Sequence, residues 1–277
     1  MTLRIDAHQH CWRLARSDYA WLTPDLGPLY RDFEPADLAP LLSAAGIERT
    51  VLVQAAPTDA ETDYLLELAD THAFVGAVVG WVDMTRPDVR ERLIELAHHP
   101  RFRGVRPMLQ DLPDPRWVLE SALTPAFDAL LELDLTFDAL VRPVHLAPLR
   151  ELMDRHPTLR LVIDHGAKPD IAGGGFDAWA EAMAAIAAET PAYCKLSGLV
   201  TEAAPGWTAA DIEPYARHIL TAFGPARTLW GSDWPVLNQA GDYAGWSAFA
   251  DALLADMDTD ARAAVRGGTA ARFYGIE

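Results

Sequence analysis

The chain has 277 residues and a mass of 30.4 kDa, half of its residues are hydrophobic, and its formal net charge at pH 7 is −17. This composition allows a large buried core, and the length fits one large domain as well as two ordinary ones. The excess of acidic residues repels nucleic acid and anionic membrane surfaces, so we expect neither as a partner.

Cysteine usage indicates the compartment. Only Cys11 and Cys194 occur, far apart and in no C-x-x-C spacing. We therefore expect no disulfide framework. We expect a reducing, cytoplasmic location. The sequence contains no basic segment followed by an apolar run near its start and no apolar stretch of membrane-spanning length, so we expect a soluble, unprocessed protein.

Apolar runs of strand length alternate with helical patterns along the whole chain, which is typical of βαβ units and a parallel sheet. Helix signals lie between the runs, such as the capping box Thr58-x-x-Glu61. Eight strands close a barrel, so the sequence predicts an α/β fold, a (β/α)8 TIM barrel that forms one domain over residues 1–277. The predicted strands are roughly 3–8, 50–55, 74–82, 103–109, 135–141, 160–165, 192–197 and 228–233.

The first long connection, from about residue 11 to 34, is rich in aromatic side chains. It is long for a loop between a strand and a helix, and we expect it to fold over the barrel mouth. Two interpretations stay open: the aromatic rings stack on a ligand, or they form a small core of their own. The rings belong to Trp12, Tyr19, Trp21, Tyr30 and Phe33.

Four side chains with metal-binding chemistry follow predicted strands. His8 and His10 end the first strand, and residues two apart on a strand point to the same side. His165 ends the sixth strand and Asp233 the eighth. Because the C-terminal ends of barrel strands converge, we expect these groups to meet, in a set that suits zinc or manganese. Each group also has a purely structural alternative. His8 and His10 could be a histidine pair of the core, His165 could bond to a neighbouring carbonyl, and Asp233 could cap a turn.

Two cations lie at the ends of otherwise apolar strands. Arg106 follows the fourth strand, and its partner is either a substrate oxygen or an acid such as Asp138 or Asp164. Lys195 on the seventh strand is either a ligand of a substrate oxygen or a member of an ion pair. Weaker candidates at strand ends are Gln54, Trp81, Arg142 and Lys168.

No serine stands in the G-x-S-x-G pattern of a nucleophile elbow; Ser197 and Ser232 both lack it. Water is then the expected nucleophile. Its activation needs a base or a metal ion, and Asp233 supplies the first while the histidines supply ligands for the second.

The chain resembles the amidohydrolase superfamily, in its "amidohydrolase 2" branch, and within it the sugar-lactone hydrolases. The resemblance runs along the whole chain and depends on the order of several motifs. They are Asp6-Ala-His8-Gln-His10, Phe102-Arg-Gly-Val-Arg106, Asp164-His165-Gly-Ala-Lys168-Pro169, Cys194-Lys195-Leu-Ser197-Gly, Gly231-Ser-Asp233-Trp-Pro235 and Gly268-Thr-Ala-Ala-Arg272-Phe-Tyr274. The resemblance implies a barrel with hydrolytic chemistry at the C-terminal ends of its strands.

The resemblance also implies the reaction, the opening of a sugar lactone such as a fuconolactone or rhamnonolactone to its acid. Asp233 would activate water, and Arg106, Lys195 or a bound metal would stabilise the oxyanion. His8, His10, His165 and Asp233 would hold the metal, zinc or manganese, and the sequence leaves open whether turnover requires it. We expect a small-molecule lactone as the only partner, and a monomer or homodimer.

Two alternatives to a lactonase are kept. The first is a metal-dependent decarboxylase of an aromatic or muconate-like acid; relatives of that kind tend to carry a further histidine on the fifth strand, where this sequence has Asp138. The second is a barrel that binds a sugar acid without turning it over.

Overall fold

The computed structural model describes residues 3–277 and contains one eight-stranded parallel sheet in the order β1 to β8. An isolated parallel bridge between Gln9 and Trp234 connects the last strand region to the first. The sheet is therefore a nearly closed (β/α)8 barrel, and the predicted fold class is confirmed. The strands are β1 (Ile5–Gln9), β2 (Arg49–Val53), β3 (Val75–Gly80), β4 (Phe102–Val105), β5 (Thr136–Ala139), β6 (Leu161–Ile163), β7 (Tyr193–Leu196) and β8 (Thr228–Trp230).

Helices connect the strands and cover the barrel with their apolar stripes. In α5, for example, Leu149, Leu152 and Met153 are buried on one face. No helix within residues 3–277 is long and apolar enough to cross a membrane. The helices are α1 (Pro35–Ala45), α2 (Asp59–Thr71), α3 (Val89–Ala97), α4 (Thr124–Glu132), α5 (Leu146–Arg155), α6 (Phe176–Glu189), α7 (Ala209–Phe223), α8 (Tyr243–Leu253), α9 (Thr259–Ala263) and α10 (Thr269–Tyr274).

The barrel interior holds its own apolar cluster, separate from the layer between strands and helices. Small and branched side chains of the strands, such as Ile5, Val51 and Val79, pack there against Phe273 and Tyr274 of α10. The C-terminal helix thus fills the barrel from the end opposite the strand C-termini, which leaves those C-termini to form the site.

Seven of the eight strands end earlier than the sequence predicts, and three of these ends bear on candidate site residues. Arg106, His165 and Asp233 all lie beyond the last residue of β4, β6 and β8. The reason at two of them is backbone conformation, since His165 has φ 54° and Asp233 has φ 59°. A left-handed residue turns the chain out of the sheet, so a strand cannot continue through it.

Candidate active site

Three histidines and one aspartate converge at the C-terminal end of the barrel. Oδ1 of Asp233 lies 3.4 Å from Nε2 of His10, 3.7 Å from Nε2 of His165 and 3.8 Å from Nε2 of His8. The Nε2 atoms of His8 and His10 are 3.1 Å apart. Ligands about 2.0 to 2.2 Å from one tetrahedral ion lie roughly 3.3 to 3.6 Å from each other. His8, His165 and Asp233 present ligand atoms that all lie within 4.8 Å of one another, which suits a shared cation, and His10 adjoins this group through His8 and Asp233.

The opposite nitrogen of each ring is held by a neighbour. Nδ1 of His10 lies 2.7 Å from the carbonyl oxygen of Val53, to which it donates. Nδ1 of His165 lies 2.9 Å from Oγ of Ser197. A proton on Nδ1 leaves the lone pair of Nε2 directed at the cluster, which is the arrangement that orients histidine ligands in metal sites.

His8 has a carboxylate behind it. Oδ1 of Asp164 lies 3.5 Å from Nδ1 of His8 and forms an ion pair with the ammonium of Lys195 at 2.9 Å. The ammonium of Lys195, which can only donate, is closer to Nδ1 of His8, at 3.0 Å. His10 and His165 are therefore the two rings whose Nδ1 partners leave Nε2 free as a ligand atom.

The protonation states fit the same purpose. Burial holds the pKa of His165 down to about 4 and lowers the pKa values of His8 and His10 as well. Burial alone would raise the pKa of Asp233, but His165, His10 and His8 outweigh it and lower that pKa. Neutral imidazoles and an ionised carboxylate are the forms that bind metal ions.

Arg106 reaches the cluster but is largely committed to protein acceptors. Its Nη2 donates to the carbonyl oxygen of Gln54, and its Nη1 lies 3.3 Å from Nε2 of His8 and 3.5 Å from Oδ2 of Asp164. Only its Nε has no hydrogen-bond partner among the described residues. The sequence left open whether Arg106 pairs with a substrate oxygen or with an acidic side chain. The structure shows an acidic partner, Asp164, together with other protein groups.

Lys195 lies behind the histidines and not on the cavity wall. Its side chain is fully buried, with Nζ 2.6 Å from Oδ2 of Asp138, 2.9 Å from Oδ1 of Asp164 and 3.0 Å from Nδ1 of His8. The hydroxyl of Tyr274 also donates to Asp138, at 2.6 Å. Lys195 therefore belongs to an ion pair, as one of the two interpretations expected. Its contact with a substrate oxygen stays a prediction, and the buried position behind the histidines gives it no support.

A cavity of about 360 Å³ opens above the cluster. The sequence analysis singled out His10, His165, Arg106 and Asp233 among its walls and ranked Lys168 lower. It missed Gln110, Asp111 and Gln239, which belong to no motif and follow strands β4 and β8 at a distance. The cavity is lined by His10, Trp21, Leu26, Ala55, Arg106, Met108, Gln110, Asp111, Leu140, His165, Lys168, Asp233, Val236 and Gln239.

The aromatic loop forms a small core of its own and also lines the cavity with one ring, and stacking of that ring on a ligand stays a prediction. Trp12 packs edge-on against Phe33 and lies near Tyr19, and all three are buried, so part of the loop is a small core. Trp21 instead lines the cavity, where its Nε1 donates to the carbonyl oxygen of Ala55 at 2.7 Å. The loop thus brings one fixed indole to the cavity.

Comparison with known proteins gives matches over the full length. The family described as Amidohydrolase matches residues 5–276. An L-fucono-1,5-lactonase of Burkholderia ambifaria is 50% identical and covers 100% of this chain and 97% of its own length. An L-fucono-1,5-lactonase of Burkholderia multivorans is 38% identical, over 99% of this chain and 96% of its own. The crystal structure of a Burkholderia multivorans amidohydrolase with bound zinc has a TM-score of 0.94 at 38% identity, over 99% of this chain and 100% of that chain.

Proposed function

Because the chain belongs to the amidohydrolase family, we propose that its substrate is L-fucono-1,5-lactone, the lactone that its two Burkholderia relatives are named for. The reaction class rests on the same full-length similarity: the chain is a sugar-lactone hydrolase, which opens a ring ester to the free acid. The observation that carries the proposal is the convergence of three imidazole nitrogens on one Asp233 oxygen at a cavity of ligand size.

We propose Asp233 as the general base. The three short distances to histidine all involve Oδ1, which leaves Oδ2 for water. As the water oxygen bonds to the lactone carbonyl carbon, Asp233 takes a water proton. When the bond from that carbon to the ring oxygen breaks, Asp233 returns the proton to the ring oxygen. The products are one hydroxyl group and one carboxylic acid, so atoms and charge balance.

We further propose that His8, His10, His165 and Asp233 hold a divalent cation, zinc or manganese. The fit rests on the donor set and on the Nδ1 partners of His10 and His165, which leave the Nε2 atom of each ring free as a ligand atom. When bound, such an ion supplies Lewis acidity toward a carbonyl oxygen and lowers the pKa of water. We assign His165 a catalytic as well as a ligand role, because it lines the cavity and its Nε2 lies 3.7 Å from Oδ1 of Asp233.

Arg106 and Lys195 take supporting roles in this proposal. Arg106 lines the cavity that Asp233 also lines and places a positive charge beside His8, which favours the neutral form of that ring. Lys195 lies against His8 and acts through it, by holding the charge of Asp164 in place behind the ring. Lys195 is in this view a positioning residue.

The decarboxylase alternative is less well supported. At the fifth strand, where a further histidine would be expected, β5 carries Asp138. That carboxylate is fully buried and bonded to Lys195 and Tyr274, so it does not face the cavity.

From composition we also propose a cytoplasmic location and a monomer or homodimer that acts on a small molecule.

A panel of aldonolactones tests the substrate. We expect acid release from L-fucono-1,5-lactone with a higher kcat/KM than from lactones that differ at one carbon, and no carbon dioxide from hydroxylated benzoic acids. Titration of the released acid at constant pH measures the first, and carbon dioxide detection the second. Decarboxylation without any lactone opening would overturn the proposed reaction, and a preference for another sugar lactone would overturn the substrate alone.

Metal analysis tests the cation. We expect the purified protein to carry about one transition-metal ion per chain, and we expect chelation to remove activity that zinc or manganese restores. The matched variant is His10→Gln, which removes one imidazole and should lower metal content in parallel with turnover. A protein free of metal and fully active in chelator would show that Asp233 activates water alone.

A further inference from the structure

Lysine is rare in this chain and concentrated at the site. The sequence has two lysines and twenty-one arginines. Lys195 contacts His8 from behind, while Lys168 lines the cavity together with His165 and Asp233. Every other cationic side chain among Lys and Arg is an arginine, so the compact lysine ammonium occurs only at a fully buried position and at the cavity wall.

The backbone around Lys168 is held in a rare conformation. From His165 to Lys168, four consecutive residues have positive φ values, of 54°, 57°, 61° and 49°. Three of them carry a Cβ, which clashes with the backbone in this left-handed region, and such strain collects at functional sites. The turn is secured by Trp179, whose Nε1 donates to the carbonyl oxygen of Gly166 at 2.7 Å. Both ends of the turn, His165 and Lys168, reach the cavity.

The three cations near the histidine cluster differ in how many of their N–H donors are free of protein partners. Arg106 directs both terminal nitrogens at Gln54, His8 and Asp164, and its Nε has no hydrogen-bond partner among the described residues. Lys195 is enclosed between two carboxylates. Lys168 has a single charged partner among the described residues, Glu202 at 3.3 Å, and about a fifth of its side chain is exposed. An ammonium group has three N–H donors, so Lys168 can bind Glu202 and a ligand together.

We propose that Lys168 binds the carbonyl oxygen of the lactone as it becomes an oxyanion, and then the carboxylate of the product. The inference rests on the proposed lactone hydrolysis and assigns the stabilising cation, which the sequence placed at Arg106, Lys195 or a bound metal, to a further residue. Negative charge moves from water to the lactone oxygen during attack, and a cation with free donors at the cavity stabilises it. Among Arg106 and the two lysines, Lys168 is the one that lines the cavity with a single charged partner and no other polar contact of its side chain among the described residues.

Substitution of Lys168 tests the charge. Lys168→Met keeps the length of the side chain and removes the ammonium, and we expect kcat/KM to fall about a hundredfold, the usual effect of losing one oxyanion donor. Lys168→Arg keeps the charge and should recover part of that loss. Inhibition by L-fuconate should weaken in Lys168→Met but persist in Lys168→Arg. Arg217→Met, which removes an exposed cation of α7, is the matched control.

Chemical labelling gives a readout that does not depend on turnover. Reductive methylation with formaldehyde should label Lys168 and the N-terminal amine but not the fully buried Lys195, as followed by peptide mass spectrometry. Saturating L-fuconate should slow methylation of Lys168 and leave the N-terminal amine unchanged, which serves as the internal control.

The outcomes separate this inference from the function on which it rests. A Lys168→Met protein that keeps wild-type kcat/KM, or a Lys168 methylated equally fast with and without L-fuconate, overturns the assignment. Equal loss of activity in the methionine and arginine variants assigns Lys168 a structural role and overturns it as well. A wild-type chain that opens no lactone contradicts the proposed function, and protection by L-fuconate then still decides whether Lys168 faces a bound carboxylate.

Discussion

Asp233→Asn is expected to lower hydrolysis of L-fucono-1,5-lactone by about a hundredfold to ten-thousandfold, because an amide cannot take the proton that general base catalysis removes from water. The fold should survive the change. Asp233 has φ 59°, and asparagine is among the residues that tolerate this conformation best. Asparagine also keeps the shape of the side chain beside His8, His10 and His165. Steady-state kinetics with L-fucono-1,5-lactone measures the effect, and circular dichroism verifies the fold.

The matched control for this substitution is Asp256→Asn, which makes the same chemical change at an exposed position. We expect its kinetics to equal those of the wild type. Metal content should be measured on both variants, so that loss of the ion is separated from loss of the base. If Asp233→Asn turns the lactone over at a near-normal rate, Asp233 is not the proton acceptor and the base must be another group.

Lys195→Met is expected to destabilise the protein by about 3 to 5 kcal/mol, since it removes the cation from a fully buried ion cluster. Asp138 and Asp164 would then face each other without a compensating charge at 0% exposure. Burial raises the pKa of any such carboxyl, but Lys195 and His8 hold the pKa of Asp164 well below its usual range. Urea denaturation of the two proteins measures the difference in the free energy of unfolding.

Two further variants define the cause. Arg217→Met removes one partner of an exposed ion pair on α7 and should change the free energy of unfolding by no more than about 0.5 kcal/mol. Adding Asp138→Asn to Lys195→Met removes one of the uncompensated charges and should recover part of the loss. A Lys195→Met protein as stable as the Arg217→Met control would show that the cluster does not hold its charges as the structure indicates.

Local patterns in the sequence determined the architecture and the histidine cluster. The alternation of apolar runs with helical segments predicted eight strands, and eight parallel strands are observed. His8 and His10 were predicted on one side of a strand because side chains alternate with a period of two, and their Nε2 atoms do lie 3.1 Å apart. His165 and Asp233 were predicted to join the two histidines because each follows a strand, and the C-terminal ends of all strands of a barrel lie close together.

Local patterns failed where a side chain had two possible partners. The box Thr58-x-x-Glu61 is only half formed: Thr58 accepts from the backbone of Glu61, but the Glu61 carboxylate turns inward to the hydroxyl of Tyr19 at 2.7 Å. That contact spans a long loop, and no local spacing records it. Burial of Glu61 raises its pKa to about 7. The sequence instead suggests an exposed carboxylate in the first turn of a helix, whose pKa would stay near its usual value.

Which of the two lysines lines the cavity was decided by the tertiary structure alone. From the sequence, Lys195 follows the parity of an inward-facing strand residue, whereas Lys168 stands in a loop after a strand. In the fold, Asp138, which is 57 residues away, approaches Lys195 to 2.6 Å and withdraws it from the cavity. The left-handed turn that brings Lys168 to the cavity is likewise invisible in its residue types, since Ala167 and Lys168 carry no preference for positive φ. Periodicity along the chain is set by neighbouring residues, but the partner of a buried charge is set by whichever distant group the packing places beside it.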